Sequence, residues 1–325
     1  MEITQRVDLK PKSEYVLSMN KPTSKVVIAG ATGFIGRNLT SSLLDQGARV
    51  VILSRKTGSR LTDHPLLRVV LWNGRDQGAW SSNVDGADAV INLSGASIGT
   101  KRWTAERKRE LLLSRTEPTK ALVEAMRSSA VRPHVFVNSS AVGYYGNVPD
   151  GDVTEGHPPG KDFLGKLCAE WEAAALEAVD QGTRVVLLRT GVVLDKNEGA
   201  LPRMLLPFRL FVGGPLGSGT QWFPWIHRDD AIRAILLALR TQSISGPVNI
   251  VAPEPATMSF FCTALGKALR RPSRFIVPSF ALKVLLGEMS GIILTGQKAV
   301  PNKLKQAGFE FRFPTLAGAL EDLLH

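Results

Sequence analysis

The sequence predicts an α/β fold: a doubly wound parallel sheet joined to a smaller, mostly helical C-terminal lobe. Three observations predict it. The glycine-rich turn Gly30-Ala31-Thr32-Gly33-Phe34-Ile35-Gly36 follows the apolar run Val26-Val27-Ile28-Ala29 and opens a stretch with helical spacing at Phe34, Ile35, Leu39, Leu43 and Leu44. That order reads as strand, tight turn and helix. Short apolar runs then alternate with helical segments over the first two hundred residues, as in a parallel sheet covered by helices on both faces. After Arg189 the alternation gives way to Gly, Pro and loop-borne aromatics, then to helices.

Taken in order, the strand at 25–30 is a β-branched apolar run and the helix at 34–46 follows from its apolar spacing. Strands at 49–54, 67–71 and 87–93 are further short apolar runs. The helix at 103–128 has a basic first half and apolar Leu111, Leu112, Leu122, Val123 and Met126 later. A strand at 133–138, a helix at 161–181 and a strand at 184–189 complete the alternating part. Residues 190–226 are rich in Gly and Pro and carry Trp222, Phe223 and Trp225. A helix at 228–240, a strand at 247–251 and helices near 257–270, 279–288 and 315–324 follow. The domain reading is a polar N-terminal extension at 1–22, a Rossmann-type NAD(P)-binding domain at 23–190 whose sheet is completed by about 226–251, and a substrate-side lobe at 191–325. No internal repeat or low-complexity tract interrupts it.

At 325 residues, with 44% hydrophobic and 21% charged residues, the chain has ordinary globular composition and the length for a large core. Its two cysteines, Cys168 and Cys262, fall in apolar helical stretches and are expected to be buried thiols. Five scattered histidines give no metal-ligand spacing. The net charge of +11 favours anionic partners. The basic residues are spread along the chain, however, and the densest group, Lys101-Arg102 to Lys108-Arg109, fits one solvated helix face. A nucleic-acid partner is therefore not expected, and a phosphorylated cofactor accounts for part of the excess. No apolar run approaches the roughly 20 residues of a membrane span; residues 281–295 come closest and are interrupted by Lys283, Gly287 and Glu288. The first 22 residues lack the apolar segment of a signal sequence, and their Asp and Glu argue against a transit peptide. The expected location is the cytoplasm, with an organelle stroma or matrix as the alternative.

The strand–turn–helix context gives the glycines their chemistry. Gly30 permits a turn that a Cβ obstructs, Gly33 lets the main chain approach a pyrophosphate, and Gly36 lets the helix pack close to the strand, while free N–H groups at the helix start face the phosphates. The second strand ends in Leu53-Ser54-Arg55. An acidic residue there accepts from a ribose 2′-hydroxyl and prefers NAD, whereas Arg55, assisted by Ser54, Lys56 and Arg60, suits the 2′-phosphate of NADP. The alternative is a surface cation that follows a strand. The fourth strand ends in Asn92-Leu93-Ser94-Gly95-Ala96, small residues that leave room for a ribose and nicotinamide linker. The fifth gives Asn138-Ser139-Ser140-Ala141-Val142-Gly143-Tyr144-Tyr145-Gly146 at the same edge.

Beside these stand Asp162-Phe163-Leu164-Gly165-Lys166-Leu167-Cys168-Ala169-Glu170-Trp171-Glu172, Arg189-Thr190-Gly191-Val192-Val193-Leu194, the stretch GGPLGSGTQWFPWIHRDD and the tail GQKAVPNKLKQAGFEFRFPTLAGAL. From about Lys25 to the C-terminus the combination resembles the extended short-chain dehydrogenase/reductase superfamily. Within it, the chain resembles an atypical epimerase-like branch, some members of which carry cell-division-inhibitor labels. A small C-terminal domain of unknown role, here about 273–322, marks that branch. The resemblance implies a Rossmann sheet binding NADP(H), with Gly30, Thr32, Gly33, Phe34, Ile35 and Gly36 on the phosphates and Ser54 and Arg55 on the 2′-phosphate. It places Leu93 and Ser94 near the ribose and Arg115 and Val192 at further cofactor contacts. Lys166 matches the lysine that binds the nicotinamide ribose and lowers the catalytic tyrosine's pKa.

The chain departs from the superfamily's Tyr-x-x-x-Lys motif, because counting back from Lys166 lands on Asp162. An aspartate needs its pKa raised by about 3 units to be half protonated at pH 7, and the cations Lys161 and Lys166 push the other way. The tyrosines are Tyr15, Tyr144 and Tyr145, so a phenolic acid, Tyr144 or Tyr145, is expected on the loop after the fifth strand, where Ser139 or Ser140 polarises a carbonyl, with Ser140, Tyr145 and Lys166 as the catalytic set. The alternative is that the tyrosine pair packs without chemistry. Trp222 or Trp225 walls a substrate pocket, or packs between the lobes; His227 titrates near neutral pH, or serves as a partner of Asp229 or Asp230. Arg203 and Arg209 meet an anionic substrate or form a solvated face. Two functions follow: an NADP(H)-dependent oxidoreductase or epimerase on a carbonyl or sugar-like substrate, or a catalytically silent NADP(H)-binding regulator. By analogy, a homodimer through 103–128 and 161–181 is a further expectation.

Overall fold

The computed structural model describes residues 24–56 and 63–325; the N-terminal extension and Arg60 lie outside the described residues. The strands are β1 (Lys25–Ala29), β2 (Arg49–Ser54), β3 (Leu67–Leu71), β4 (Ala89–Asn92), β5 (Val135–Ala141), β6 (Val148–Val153), β7 (Arg184–Thr190), β8 (Val192–Leu194), β9 (Trp225–His227), β10 (Gly246–Ile250) and β11 (Gln297–Ala299). The helices are α1 (Phe34–Asp45), α2 (Ala105–Arg127), α3 (Phe163–Leu176), α4 (Leu201–Arg209), α5 (Arg228–Arg240), α6 (Met258–Leu269), α7 (Ser279–Leu286), α8 (Gly291–Leu294), α9 (Asn302–Gln306) and α10 (Leu316–Leu324).

Seven strands form one parallel sheet in the order β3-β2-β1-β4-β5-β7-β10. The central strands are uniformly apolar because both faces are covered: Val26, Ile28 and Ile91 pack beneath α1 and α5, and Val27, Val90 and Phe136 pack against α2. At the edge, β3 is covered on one face only, and Val69 and Leu71 are exposed. The strand order reverses between β1 and β4, which opens a crevice at their carboxyl ends.

Side-chain caps set where several helices begin. Thr104 Oγ1 accepts from Arg107 N (3.1 Å) before α2, and Asp162 Oδ1 accepts from Gly165 N (2.8 Å) before α3. The predicted helix at 161–181 ends as α3 at Leu176, followed by a separate 3₁₀ turn, Val179–Gln181, and a left-handed Gly182. Two small parallel sheets, β6 with β11 and β8 with β9, have no counterpart in the sequence reading. β8, β9 and β11 have three residues each, and the partners lie far along the chain.

The last third is tied to the sheet rather than laid over one edge. Leu304 of α9 is buried in the main core, Phe309 and Phe311 pack against it, and α10 joins α6 and α4 in a second core around Phe208, Phe261 and Leu320.

Candidate functional site

The turn from β1 into α1 has the geometry its glycines imply. Gly30 has φ +79°, and a Cβ there would lie 2.6 Å from the Leu93 carbonyl carbon; at Gly36 it would lie 2.5 Å from the Gly30 oxygen. At Gly33 it would meet only the Gly30 oxygen, at an ordinary 3.4 Å, so protein packing leaves that position open. Gly33 is the N-cap of α1 and offers no side-chain acceptor. The first N–H groups of α1 therefore stand unpaired at the positive end of the helix dipole, an arrangement suited to a phosphate. Arg37 braces the loop by donating to the Thr32 carbonyl (2.6 Å) and pairing with Glu198.

The crevice is a cavity of about 690 Å³. Gly30, Thr32 and Gly33 line one end, Ser54 and Arg55 the end of β2, Trp72 to Arg75 the end of β3, and Leu93 to Ala96 the end of β4. Helix α2 closes it with Glu106, Arg109, Glu110, Ser114, Glu117 and Pro118. Glu117 is paired with Arg75 (2.9 Å) and Glu110 with Arg107 (2.5 Å). The buried Ser54 Oγ donates to the Lys56 carbonyl (2.8 Å), which shapes the turn that presents Arg55.

Five sequence-derived residues contribute otherwise. Phe34 and Ile35 pack their half-buried side chains against the sheet core. Arg115 does not line the cavity. It donates to the carbonyls of Leu111 (2.9 Å) and Ala96 (3.0 Å), lies over the Trp171 ring, and is pulled below its ordinary pKa by burial. It holds the β4–α2 loop. Val192 N donates to the Pro224 carbonyl (2.7 Å) on β8, away from the cavity lining. Gly36 acts through packing alone.

Two of the three expected catalytic residues are bonded within the protein. Ser140 is buried and donates to Glu172 Oε1 (2.6 Å). Tyr145 is 1% exposed; its hydroxyl donates to Asn249 Oδ1 (2.6 Å) and accepts from Arg189 (3.1 Å). Burial pushes its pKa up to about 12. Lys166 is exposed on the solvent stripe of α3 with Glu170, Ala173 and Glu177, while Cys168, Trp171 and Glu172 face the protein. α3 starts at Phe163, and its N-cap is Asp162, the position four residues before Lys166. As an N-cap, Asp162 is held as an acceptor.

What the sequence reading missed is the pair beneath these groups. Arg189 meets Glu172 through two bonds (2.9 and 2.7 Å), and both side chains are buried. Burial opposes a charge on Arg189, but the Glu172 carboxylate outweighs it and raises the guanidinium pKa. The same guanidinium lies 3.4 Å from the centre of the Tyr144 ring. Tyr144 is half-buried and, among the described residues, its hydroxyl has no hydrogen-bond partner. It packs on the cluster of Leu111, Leu167 and Cys168 that also holds Ala96 of the cavity wall.

In the aromatic stretch, the packing alternative holds. Trp225 is buried and donates to the Glu254 carbonyl (3.0 Å), and Trp222 donates to the Pro149 carbonyl (2.8 Å). His227 Nδ1 accepts from Asp229 N (3.1 Å) as the N-cap of α5. Arg203 donates to the Gly99 carbonyl (3.0 Å).

A parallel sheet with this strand order and a phosphate-ready glycine turn at its switch point defines a dinucleotide-binding protein of Rossmann architecture. The family model for the NAD dependent epimerase/dehydratase family matches residues 26–251, and the chain belongs to that family. A model described as a domain of unknown function, DUF1731, matches residues 277–323. Among relatives, the chain is 41% identical to the chloroplastic SDR39U1 homolog of Arabidopsis thaliana, an epimerase family protein, over 94% of this chain and 88% of that one. It is 40% identical to an epimerase family protein of Staphylococcus saprophyticus over 92% and 99%. Among solved structures, human epimerase family protein SDR39U1 with NADPH superposes with a TM-score of 0.82 at 35% identity, covering 92% of this chain and 98% of that one. A UDP-glucuronic acid 4-epimerase of Bacillus cereus shares the fold, with a TM-score of 0.74 at 20% identity over 92% and 97%.

Proposed function

We propose that this chain binds NADP(H) in the crevice and uses it in an oxidoreductase or epimerase reaction on a carbonyl or sugar-like substrate, with Tyr144 as the proton-transfer group. One observation carries the reading: the open Gly33 position and Arg55 line the same cavity, at opposite ends of the span between a diphosphate and an adenosine 2′-phosphate. The human relative crystallised with NADPH supports the cofactor choice. When bound, the nicotinamide supplies or accepts hydride. The chain's own part is to hold the phosphates on the α1 N–H groups and Arg55, to seat the linker against Leu93 to Ala96, and to present the Tyr144 hydroxyl. Arg189 stacked on that ring holds it in place.

The silent-regulator reading is favoured by a different observation, the engagement of Ser140 and Tyr145 in internal bonds and the outward face of Lys166. One experiment separates the two. NADPH consumption is followed with a panel of carbonyls, and isomer formation from nucleotide sugars with bound NADP is followed by chromatography, since an epimerase returns its hydride and consumes no cofactor, beside calorimetric titration of NADPH. Turnover abolished by Tyr144→Phe and retained by Tyr145→Phe supports the enzyme. Tight NADPH binding without turnover on any substrate of the panel supports the regulator, and no binding to either nicotinamide dinucleotide removes both.

A further inference from the structure

Large apolar side chains collect on one exterior side of the C-terminal lobe. Phe211, Phe275, Ile276, Phe280, Val284 and Leu285 are each 54–76% exposed. They form a continuous tract. Phe275 N donates to the carbonyl of Gly213, two residues past Phe211 (3.2 Å), and Ile276 leads through Pro278 into α7. On α7, Phe280 and Val284 stand one turn apart and, with Leu285 and Arg102, line a shallow groove of about 500 Å³. An exposed apolar tract of this extent marks a contact surface.

The charge that these segments supply is of one sign. Arg209, Lys267, Arg270, Arg271, Arg274 and Lys283 are exposed, and the Arg271 guanidinium lies over the Phe211 ring at 4.5 Å. The segments that supply the face, 199–228 and 255–287, contain no Asp or Glu. The next carboxylate along the chain, Glu288, is paired with Lys108.

We propose that this face docks the protein on an anionic lipid bilayer, the phenyl and aliphatic groups entering the headgroup region while the arginines and lysines meet lipid phosphates. A second copy of the chain is the poorer occupant, because a two-fold interface sets the same patch against itself and opposes cation to cation. The mode is surface association: among the described residues, no helix is long and apolar enough to cross a membrane. The face also adjoins the crevice. Arg102 donates to the Val284 carbonyl and Arg203 to that of Gly99 (3.0 Å), so α7 and α4 rest on the β4–α2 loop that walls the cavity.

The test is co-sedimentation of the full chain with phosphatidylcholine vesicles and with vesicles that also contain phosphatidylglycerol, at low and high salt. Binding to the anionic vesicles alone, weakened by salt, is the expected result. Each cation near the surface is worth roughly fivefold in affinity, so Arg270→Gln with Arg274→Gln is expected to lower it roughly 25-fold. Val284→Asp with Leu285→Asp removes the apolar contact and reduces binding further. All four positions are exposed, and unchanged NADPH affinity confirms a folded variant. Arg132→Gln, at the opposite, amino-terminal edge of the sheet, leaves binding unchanged. The proposal fails if anionic vesicles do not bind at low salt, or if Arg132→Gln weakens binding as much as a change in the face does. It also fails if the Asp variants turn a dimer into a monomer in light scattering without altering vesicle binding, since the face then belongs to a second copy.

Discussion

Gly33 and Gly36 sit one turn apart and do different jobs, so the same substitution separates them. At Gly36 an alanine methyl meets the Gly30 carbonyl oxygen at 2.5 Å, and backbone must move; overpacking of this kind costs about 1–3 kcal/mol. At Gly33, φ is −77° and the nearest atom is 3.4 Å away, so alanine is tolerated within about 0.5 kcal/mol. Its methyl then stands where a diphosphate would approach. Gly36→Ala is expected to lower the thermal midpoint, while Gly33→Ala keeps the midpoint and weakens NADPH by more than about tenfold in calorimetric titration, some 1.4 kcal/mol. Arg55→Ala is expected to weaken NADPH roughly ten- to hundredfold with little effect on NADH, since a charge-assisted hydrogen bond is worth about 1.5–3 kcal/mol; equal loss of both would remove Arg55 from the 2′-phosphate. The glycine turn was legible because a strand, tight turn and helix in sequence is a local signal. The surroundings of Ser140 and Tyr145 were not. Whether Ser140 and Tyr145 face a ligand or a neighbour depends on Glu172 and Asn249, which are 32 and 104 residues away, and no spacing rule reports that.

The elements with a long apolar period, α1, α2 and α5, lie close to where their spacing put them, because an amphipathic stripe declares its own helix. Three-residue strands such as β8 and β9 carry no period, and only their pairing defines them. Register is harder still. In α3, the cap at Asp162 fixes which side chains turn inward, and Glu172 is carried to Arg189 as a result. Breaking that buried pair leaves an uncompensated charge, so Glu172→Gln is expected to cost about 3–5 kcal/mol in denaturant unfolding, and Glu172→Leu with Arg189→Met together less than either alone. A second element has a pH signature. His227, fully buried against the Phe313 ring, caps α5 through Nδ1, and its Nε2 lies 3.2 Å from Asp322 without hydrogen-bond alignment. Burial holds its pKa below the ordinary 6.5, outweighing Asp229, Asp322 and Asp230. The unfolded chain therefore binds the proton more readily than the folded one, and the ring's contribution is complete above pH 6.5 and is lost as pH falls below it. His227→Asn keeps a capping side chain and is expected to show a shallower loss of thermal midpoint between neutral and mildly acidic pH; an unchanged slope would assign the acid sensitivity elsewhere.

At the scale of the whole molecule, the question is whether the C-terminal segment is a separate body or part of one core. Composition suggested a lobe beside the cofactor edge, yet the chain returns to the main sheet at several buried points. Asn249 of β10 donates to the carbonyls of Val153 (3.2 Å) and Val300 (3.0 Å) while accepting from Tyr145. Gln297 donates to the Val142 carbonyl (2.6 Å) beneath the loop that carries Tyr144. Asp230, almost fully buried, accepts from the main-chain N–H groups of Arg312 (2.9 Å) and Phe313 (2.8 Å). The bonds of Val300, Gln297, Arg312 and Phe313 join the segment after residue 296 to the central fold, and each leaves a buried polar group without a partner if the segment departs. Local opening of the tail therefore costs several unsatisfied groups at once, which couples it to global unfolding. A single calorimetric transition is expected, with van't Hoff and calorimetric enthalpies in agreement. Asn249→Ala, which removes one side chain from that junction, is expected to lower stability by about 1–3 kcal/mol while preserving the single transition. Two resolved transitions in the unaltered chain would show that the tail folds as its own unit, and the junction at Asn249 would then be a contact between bodies rather than a part of one core.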